Sequence, residues 1–150
     1  MAQKNSPTDH DAMTTCLCQR VRMAARAVTR AYDRALRPAG LRSTQFTILV
    51  AASVAGGLPL HRLADILGLE RTTLTRNLAA ITRQGLIEIA NADGRTRNVF
   101  LSPAGRLRLN QALPLWDQAQ QRLHEFLGDE AWSRMQETLG YLAQSVNGPE

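Results

Sequence analysis

The sequence has few of the features that mark secreted, membrane-bound or disulfide-stabilised proteins. Its 150 residues include 2 cysteines, too few for a disulfide framework in a chain of this length. No apolar run reaches the ~18 residues that a membrane-spanning helix needs. Residues 1–11 contain no apolar signal-peptide core, and we expect them to form a flexible tail. We therefore expect a single cytoplasmic domain over residues 1–150, with no membrane partner.

Lysine is also scarce, because 17 of the 18 basic residues are arginine. Arginine suits bidentate contacts with phosphate and guanine, although a GC-rich genome would produce the same bias. The charge is unevenly distributed: residues 1–110 carry 16 basic and 7 acidic side chains, whereas residues 111–150 carry 2 and 6. A basic body with an acidic end favours a polyanionic partner at one pole of the molecule.

Motifs for catalysis, metal binding and cofactor binding are missing as well. The sequence has no Gly-rich phosphate loop and no nucleophile elbow. The segment from His124 begins like a zinc-protease helix, but Gly128 stands where the second histidine is required. Cys16, Cys18 and His10 lack a fourth ligand and the usual Cys-x₂-Cys spacing. We therefore expect no enzymatic activity, no cofactor and no bound metal.

The stretch from Leu63 to Gly105 predicts a helix, a tight turn at Gly68, a second helix and a short β-hairpin. This order of elements is typical of a winged helix-turn-helix, which places its second helix in the major groove of DNA. On that helix, an apolar stripe faces the core and a polar stripe lies opposite it. The apolar stripe is Leu74, Leu78 and Ile81; the polar one is Thr72, Arg76, Ala79 and Arg83, flanked by Thr73 and Thr75.

The composition of that polar stripe favours DNA over water as its neighbour. Hydroxyls and guanidinium groups bond to base edges and phosphates, and alanine lets the backbone approach closely. No acidic residue occurs from Arg71 to Gly85. A solvated helix face would explain the arginines, but it would not explain the clustered threonines.

The hairpin provides a second set of candidate DNA contacts. Two strands are predicted at 86–89 and 97–101, and the loop between them contains Asp93 and Gly94, with Arg95 just past its tip. An arginine on a wing can enter a narrow minor groove; the alternative is a turn arginine exposed to water. Asp93 could hold the Arg95 guanidinium in position. Arg97 adds a second wing cation whose partner the sequence does not identify.

Long helices flank the predicted winged helix-turn-helix, which we call the lobe. One is predicted from about Ala12 to Arg37, one follows the N-cap Ser102, and the last runs from Glu130 to about Val146. A further helix, with Ser43 as its N-cap, leads into the lobe, and its predicted inner face consists of Phe46, Leu49, Val50, Ser53 and Val54. The apolar seams of the flanking helices exceed what the lobe needs for its own core, which predicts burial against a second subunit.

These motifs resemble those of the MarR family of bacterial transcription regulators, over nearly the whole chain. Residues 40–46 resemble the family's Gly-Leu-Thr-x-x-Gln-Phe segment, and residues 63–76 resemble its helix-turn-helix, although Glu70 stands where the family more often has Asp. The Asp93-x-Arg95 pair and the later Leu101-Ser102-x-x-Gly105 segment resemble its wing signature.

The resemblance implies a mainly α fold with a small β-hairpin wing. A winged helix-turn-helix lobe at 41–105 would lie between dimerisation helices at 12–40 and 106–147. The protein would be a homodimer that binds a pseudo-palindromic operator in double-stranded DNA, acts as a repressor, and is released by a small aromatic or phenolic effector. A winged-helix architectural or protein-interaction module is the alternative from another class.

The resemblance also implies roles for individual residues. It places Arg95 in the minor groove and the threonines and Arg76 of the second helix at the major groove. The residues predicted to contact DNA are Ser43, Arg71, Thr72, Thr73, Thr75, Arg76, Arg83, Asp93, Arg95 and Arg97. Family members often bind the effector between the dimerisation helices and the lobe, where the candidates are Arg26, Arg30, Phe46 and Trp116.

Two stretches of the first helix have more than one interpretation. Arg26 and Arg30 belong to an arginine stripe that is either a solvated face or a surface for an anionic ligand or the acidic C-terminal segment. Cys16 and Cys18 are either small buried residues or oxidant sensors, since some relatives sense oxidants with a cysteine near the N-terminus. On one continuous helix their thiols would point about 200° apart, too far to bridge each other.

Overall fold

The computed structural model describes residues 8–55, 57–91 and 96–145. Seven α-helices, one 3₁₀ helix and three strands lie within these residues. In chain order they are α1 (Asp9–Thr15), α2 (Leu17–Leu36), a 3₁₀ helix (Arg37–Ala39), α3 (Ser43–Ala55), β1 (Leu58–Pro59), α4 (Leu60–Leu67), α5 (Arg71–Arg83), β2 (Ile87–Asn91), β3 (Arg97–Leu101), α6 (Pro103–Leu127) and α7 (Asp129–Ser145).

The first predicted helix is two helices, separated at Cys16. The Cys16 backbone is extended, with φ −60° and ψ 111°, and the Arg20 guanidinium bonds the carbonyl of Thr14 at the end of α1. Threonine has a modest helix propensity, and paired threonines just before the break weaken the helix there. The expectation of a tail over residues 1–11 is wrong at its end, because α1 begins at Asp9.

The helix-turn-helix is confirmed. The chain turns at Gly68, which has the left-handed φ of 58° that glycine adopts without strain. α5 then packs on the core through Leu74, Leu78 and Ile81, each at most 2% exposed. The predicted period of three and four residues therefore identifies the buried side of this helix correctly.

The wing belongs to an antiparallel three-stranded sheet of order β1–β3–β2. β2 and β3 pair from Ile87 with Leu101 to Asn91 with Arg97. β3 has the predicted bounds, whereas β2 begins one residue later and ends two residues later than predicted. β1 was not predicted: it has two residues, and Leu58 pairs with Val99. A strand this short leaves no alternating pattern to read. The residues at 92–95, which include the predicted tip residues Asp93 and Arg95, lie outside the described residues.

The junction between the wing and α6 is held by Ser102, the predicted N-cap. Its Oγ accepts a hydrogen bond from the Gly105 N–H at 2.9 Å and donates one to the Gly85 carbonyl at 2.6 Å. Ser102 is buried, so both bonds satisfy a hydroxyl that would otherwise be costly to bury. The cap thus joins the start of α6 to the turn that follows α5.

The core lies within the lobe and at its contact with α2 and α6. α3 is buried on more sides than predicted, since Ile48 and Ala52 are buried as well as Phe46 and Leu49. The outer helices α2 and α7 are much less buried. No described side chain of α7 is buried, and the only buried residue of α2 is Leu36, at its end.

Candidate nucleic-acid interface

The polar stripe predicted from the sequence forms one exposed face of α5. Thr72, Thr75, Arg76 and Arg83 are exposed, and Thr73 is half-buried. Because the opposite side of α5 is anchored in the core, this face is presented by a helix that cannot rotate without unpacking the lobe. The predicted major-groove residues are therefore together on one accessible surface.

Hydrogen bonds within α5 narrow what these side chains can offer to a base. The Thr75 hydroxyl donates to the Arg71 carbonyl at 2.8 Å, and the Asn77 amide donates to the Thr73 carbonyl at 2.9 Å. With its proton committed, the Thr75 hydroxyl is left as an acceptor, which suits the amino group of adenine or cytosine. Sequence reasoning did not single out Asn77, which is half-buried.

The N-terminus of α5 has no side-chain cap. Glu70 occupies the N-cap position but makes no capping hydrogen bond, as expected where glutamate replaces the shorter aspartate. The first backbone N–H groups of α5 keep their hydrogen-bonding capacity, and the helix dipole favours an anion beside them. A DNA phosphate is the anion that would lie next to a helix inserted in the major groove.

Arg97, whose partner the sequence did not identify, lies beside α5. It lines a groove of about 890 Å³ together with α4, the turn and the start of α5. It also lines a smaller groove of about 330 Å³ between α5 and the sheet, with Thr75 and Arg83. Arg97 is exposed at the first residue of β3, so its guanidinium adds positive charge beside the polar face of α5.

Ser43 does not have the predicted capping role. It is the first residue of α3 rather than its N-cap, and Asp33 Oδ1 accepts bonds from both the Ser43 N–H and the Ser43 hydroxyl, each at 2.7 Å. The ion pairs found within residues 8–55, 57–91 and 96–145 are His124 with Asp129 and Arg134 with Glu130. Asp33 is therefore bonded to Ser43 and not to an arginine of α2.

The four candidate effector-pocket residues fall into two pairs. Phe46 and Trp116 stack on each other, with ring centroids 6.0 Å apart and ring planes at 21°. Arg26 and Arg30 are exposed, like every other residue of α2 from 17 to 30. Neither of the two grooves beside α5 is lined by any of these four residues.

Cys16 and Cys18 are both exposed free thiols, so the interpretation as buried apolar residues is wrong for the single chain. Because Cys16 lies between α1 and α2, the two residues are not on one continuous helix, and the expected divergence of their thiols does not apply. Across the described ranges, no three His, Cys, Asp or Glu side chains come together as a metal site.

Comparison with known proteins places this geometry in a family. No family model matches the chain, and no curated protein does. Among solved structures, the transcriptional regulator MosR of Mycobacterium tuberculosis in complex with DNA is 41% identical, with a TM-score of 0.80 over 87% of this chain and 96% of that one. The chain belongs to the MarR family of transcriptional regulators.

Two further structures share the MarR-type fold at lower identity. A MarR-family regulator of Rhodococcus sp. RHA1 is 24% identical, with a TM-score of 0.72 over 92% of this chain and 98% of that one. CouR of Rhodococcus jostii RHA1, bound to p-coumaroyl-CoA, is 24% identical, with a TM-score of 0.74 over 87% of this chain and 92% of that one. This MarR-family chain is thus a winged helix-turn-helix transcriptional regulator. No described helix is both long and apolar enough to cross a bilayer.

Proposed function

We propose that the protein is a repressor that binds a pseudo-palindromic operator as a homodimer, through α5 in the major groove and the wing beside it. The observation that carries this proposal is the exposed threonine and arginine face of α5, anchored from behind by Leu74, Leu78 and Ile81. It is supported by MosR, which has been crystallised with DNA. As a regulator of bacterial genes, the protein would act in the cytoplasm.

Uncovered apolar surface on the terminal helices supports the homodimer. Leu17 and Val28 of α2 are 60% and 42% exposed, and Met135 and Leu139 of α7 are 45% and 47% exposed. Surfaces of this kind mark protein interfaces in soluble proteins. A two-fold dimer would present two copies of α5 to successive turns of one face of the duplex.

An effector would act by changing the separation of the two copies of α5 in the dimer, since the DNA itself fixes the distance between half-sites. CouR, whose fold this chain shares, binds p-coumaroyl-CoA. We propose a small aromatic or phenolic effector that binds near Phe46 and Trp116, with Arg26 or Arg30 as the partner of an acidic group. Such a ligand would have to separate or displace the stacked rings.

The test of DNA binding is to select bound sequences from random duplexes and measure variants on the selected operator. Arg76→Ala should cost about 1–3 kcal/mol of binding free energy and relax the preference at one base-pair position. Arg97→Ala should weaken binding to all sequences alike. It should also reduce the slope of log affinity against log salt concentration by about 1, the change expected for the loss of one phosphate contact. Arg122→Ala, an exposed arginine of α6, is the matched control.

Two results would contradict the proposal. One is a loss with Arg76→Ala no larger than that with Arg122→Ala. The other is a uniform, salt-sensitive coating of any duplex, which would favour the alternative of an architectural module. A two-fold symmetric footprint on one selected sequence supports the repressor.

A thiol-based response to oxidants is a second candidate function. It is favoured by the exposure of both Cys16 and Cys18 and by the break in the helix at Cys16. Peroxide would oxidise the two thiols to a disulfide, with transfer of two electrons to peroxide and release of two water molecules. Peroxide should then lower operator affinity in the wild type but not in a Cys16→Ser/Cys18→Ser variant; equal responses would exclude this function.

A further inference from the structure

The corner between α2 and the lobe is short and is held by several hydrogen bonds. α2 ends at Leu36, and α3 begins at Ser43, so six residues, 37–42, join a proposed dimerisation helix to the DNA-binding lobe. Within this corner Ala39 and Leu41 are buried. The Leu41 N–H bonds back to the Leu36 carbonyl, and Gly40 has a left-handed φ of 68°, so the backbone itself makes a compact turn.

Asp33 ties the corner to α2. Its Oδ1 accepts a hydrogen bond from the backbone N–H of Ser43 and another from the Ser43 hydroxyl, each at 2.7 Å. A carboxylate bonded to the first N–H groups of a helix makes strong, charge-assisted bonds and interacts favourably with the helix dipole. The start of α3 is therefore held by a side chain of α2, ten residues earlier.

Arg108 ties the same corner to α6. Its Nη1 donates to the Ala39 carbonyl at 3.0 Å, and the bond is half-buried. The guanidinium lies directly against Gly40, since a Cβ built there would be 2.7 Å from Nη1. Any other residue at position 40 would strain the turn and displace Arg108.

These two contacts hold the corner in place against both proposed dimerisation elements, α2 and α6. We propose that Asp33 and Arg108 are positioning residues that set the angle of each lobe on the dimer, and so determine which half-site spacing the protein accepts. Neither Asp33 nor Arg108 contacts DNA in this arrangement, and the inference rests on the proposed homodimer and operator. The alternative is that both residues only stabilise the fold.

Selectivity for half-site spacing distinguishes a positioning role from a purely stabilising one, because the loss of a purely stabilising contact would not alter this selectivity in a dimer that remains folded. One inserted base pair moves the half-sites apart by about 3.4 Å and rotates one relative to the other. A rigid corner makes the dimer resist that change, whereas a loosened corner lets the lobes follow it. Affinity for a duplex carrying one half-site should not depend on the corner.

The experiment measures the binding of purified full-length dimers to the selected operator, to versions with one base pair inserted or deleted at the centre, and to a single half-site. The wild type should lose about tenfold or more in affinity for a changed spacing, and Arg108→Met about threefold or less. Single half-site affinity should agree within about twofold. Arg108→Lys, which keeps a donor, should restore part of the selectivity, and Arg106→Met, an exposed neighbour on α6, is the control.

A wild-type spacing profile in a dimeric Arg108→Met variant would overturn the inference while leaving the proposed function intact. If the wild type shows no spacing preference, the proposed operator fails and the inference fails with it. Should Arg108→Met not dimerise, Asp33→Ala takes its place in the same series. A measurement without a corner variant is also decisive: spin labels on Ala79→Cys in a Cys16→Ser/Cys18→Ser dimer should give one narrow distance, and a broad distribution overturns the inference.

Discussion

Phe46 and Trp116 stack with their centroids 6.0 Å apart and their planes nearly parallel, at 21°. The pair joins α3 of the lobe to α6, so it lies where the lobe meets the proposed dimerisation helices. Phe46 is 6% exposed, and an aromatic pair in such a position contributes more than the burial of its area alone. The stack therefore has a measurable part in holding the two regions together.

Phe46→Ala should lower the free energy of unfolding by about 3–5 kcal/mol, because it removes a buried ring and leaves a cavity. Phe46→Leu, which keeps most of the volume, should cost less, about 1.5 kcal/mol. A double-mutant cycle with Trp116→Leu should give a coupling of about 0.5–1.5 kcal/mol in urea denaturation. Independent effects of the two substitutions would show that the rings do not stabilise each other.

The two-sided pattern of α5 was predictable because its signal is local. Leu74, Leu78 and Ile81 repeat at helical spacing on an element with one buried side, and polar residues fill the other side. The same logic gave an incomplete result for α3. Ile48 and Ala52 fall outside the predicted inner face because α3 is covered from several directions, and a helix of that kind has no single apolar stripe.

What could not be predicted depends on partners far away in sequence. β1 exists only because β3 pairs with it, and Arg97 reaches the side of α5 only because the sheet brings it there. The bonds of Asp33 and Arg108 span 10 and 69 residues. Side-chain type indicates which groups can bond, but not which distant carbonyl or amide will lie within reach.

Gly105→Ala should destabilise the protein severely. A Cβ at this position would be 1.9 Å from the backbone carbonyl oxygen of Leu86, and a backbone atom cannot move aside as a flexible side chain can. We expect a loss of about 3 kcal/mol or more in the free energy of unfolding, at the upper end for overpacked sites. Thermal and urea denaturation would measure it.

Gly140→Ala is the matched control, because it also replaces a helical glycine. Among the described residues, no atom outside the chain neighbours and the adjacent backbone of α7 lies within 4 Å of a Cβ there. Alanine should therefore leave stability unchanged or raise it by up to about 1 kcal/mol through its higher helix propensity. If both substitutions had the same effect, the close approach of α6 to Leu86 would not be the reason for glycine at position 105.

Tyr32 should titrate at unusually high pH. Burial raises the pKa of its phenol above the ordinary value of 10.0, and its hydroxyl donates to Gln120. Since the folded state holds this proton more tightly than the unfolded state, the resulting stability is present below pH 10 and is lost as the pH rises through the folded pKa. Tyrosinate absorbance of a Tyr141→Phe variant would report on Tyr32 alone. A midpoint at or below pH 10 in the folded protein would contradict this.

Leu139→Arg should convert the protein from a dimer to a monomer. Leu139 and Met135 lie one turn apart on α7 and are 47% and 45% exposed in the single chain. If a second subunit covers them, an arginine there would carry an unpaired charge into an apolar interface, at a cost of several kcal/mol. Light scattering and sedimentation at micromolar concentration would measure the change.

Ile66→Arg distinguishes that result from a general effect of an added charge. Ile66 is 62% exposed and belongs to α4, within the DNA-binding lobe rather than the segments proposed to form the dimer. Because both variants replace an exposed apolar side chain with arginine, net charge changes equally, and only an interface at Leu139 makes their masses differ. A dimer that survives Leu139→Arg as well as it survives Ile66→Arg would mean that α7 is not part of the contact. The uncovered residues of α2 would then have to form the contact without it.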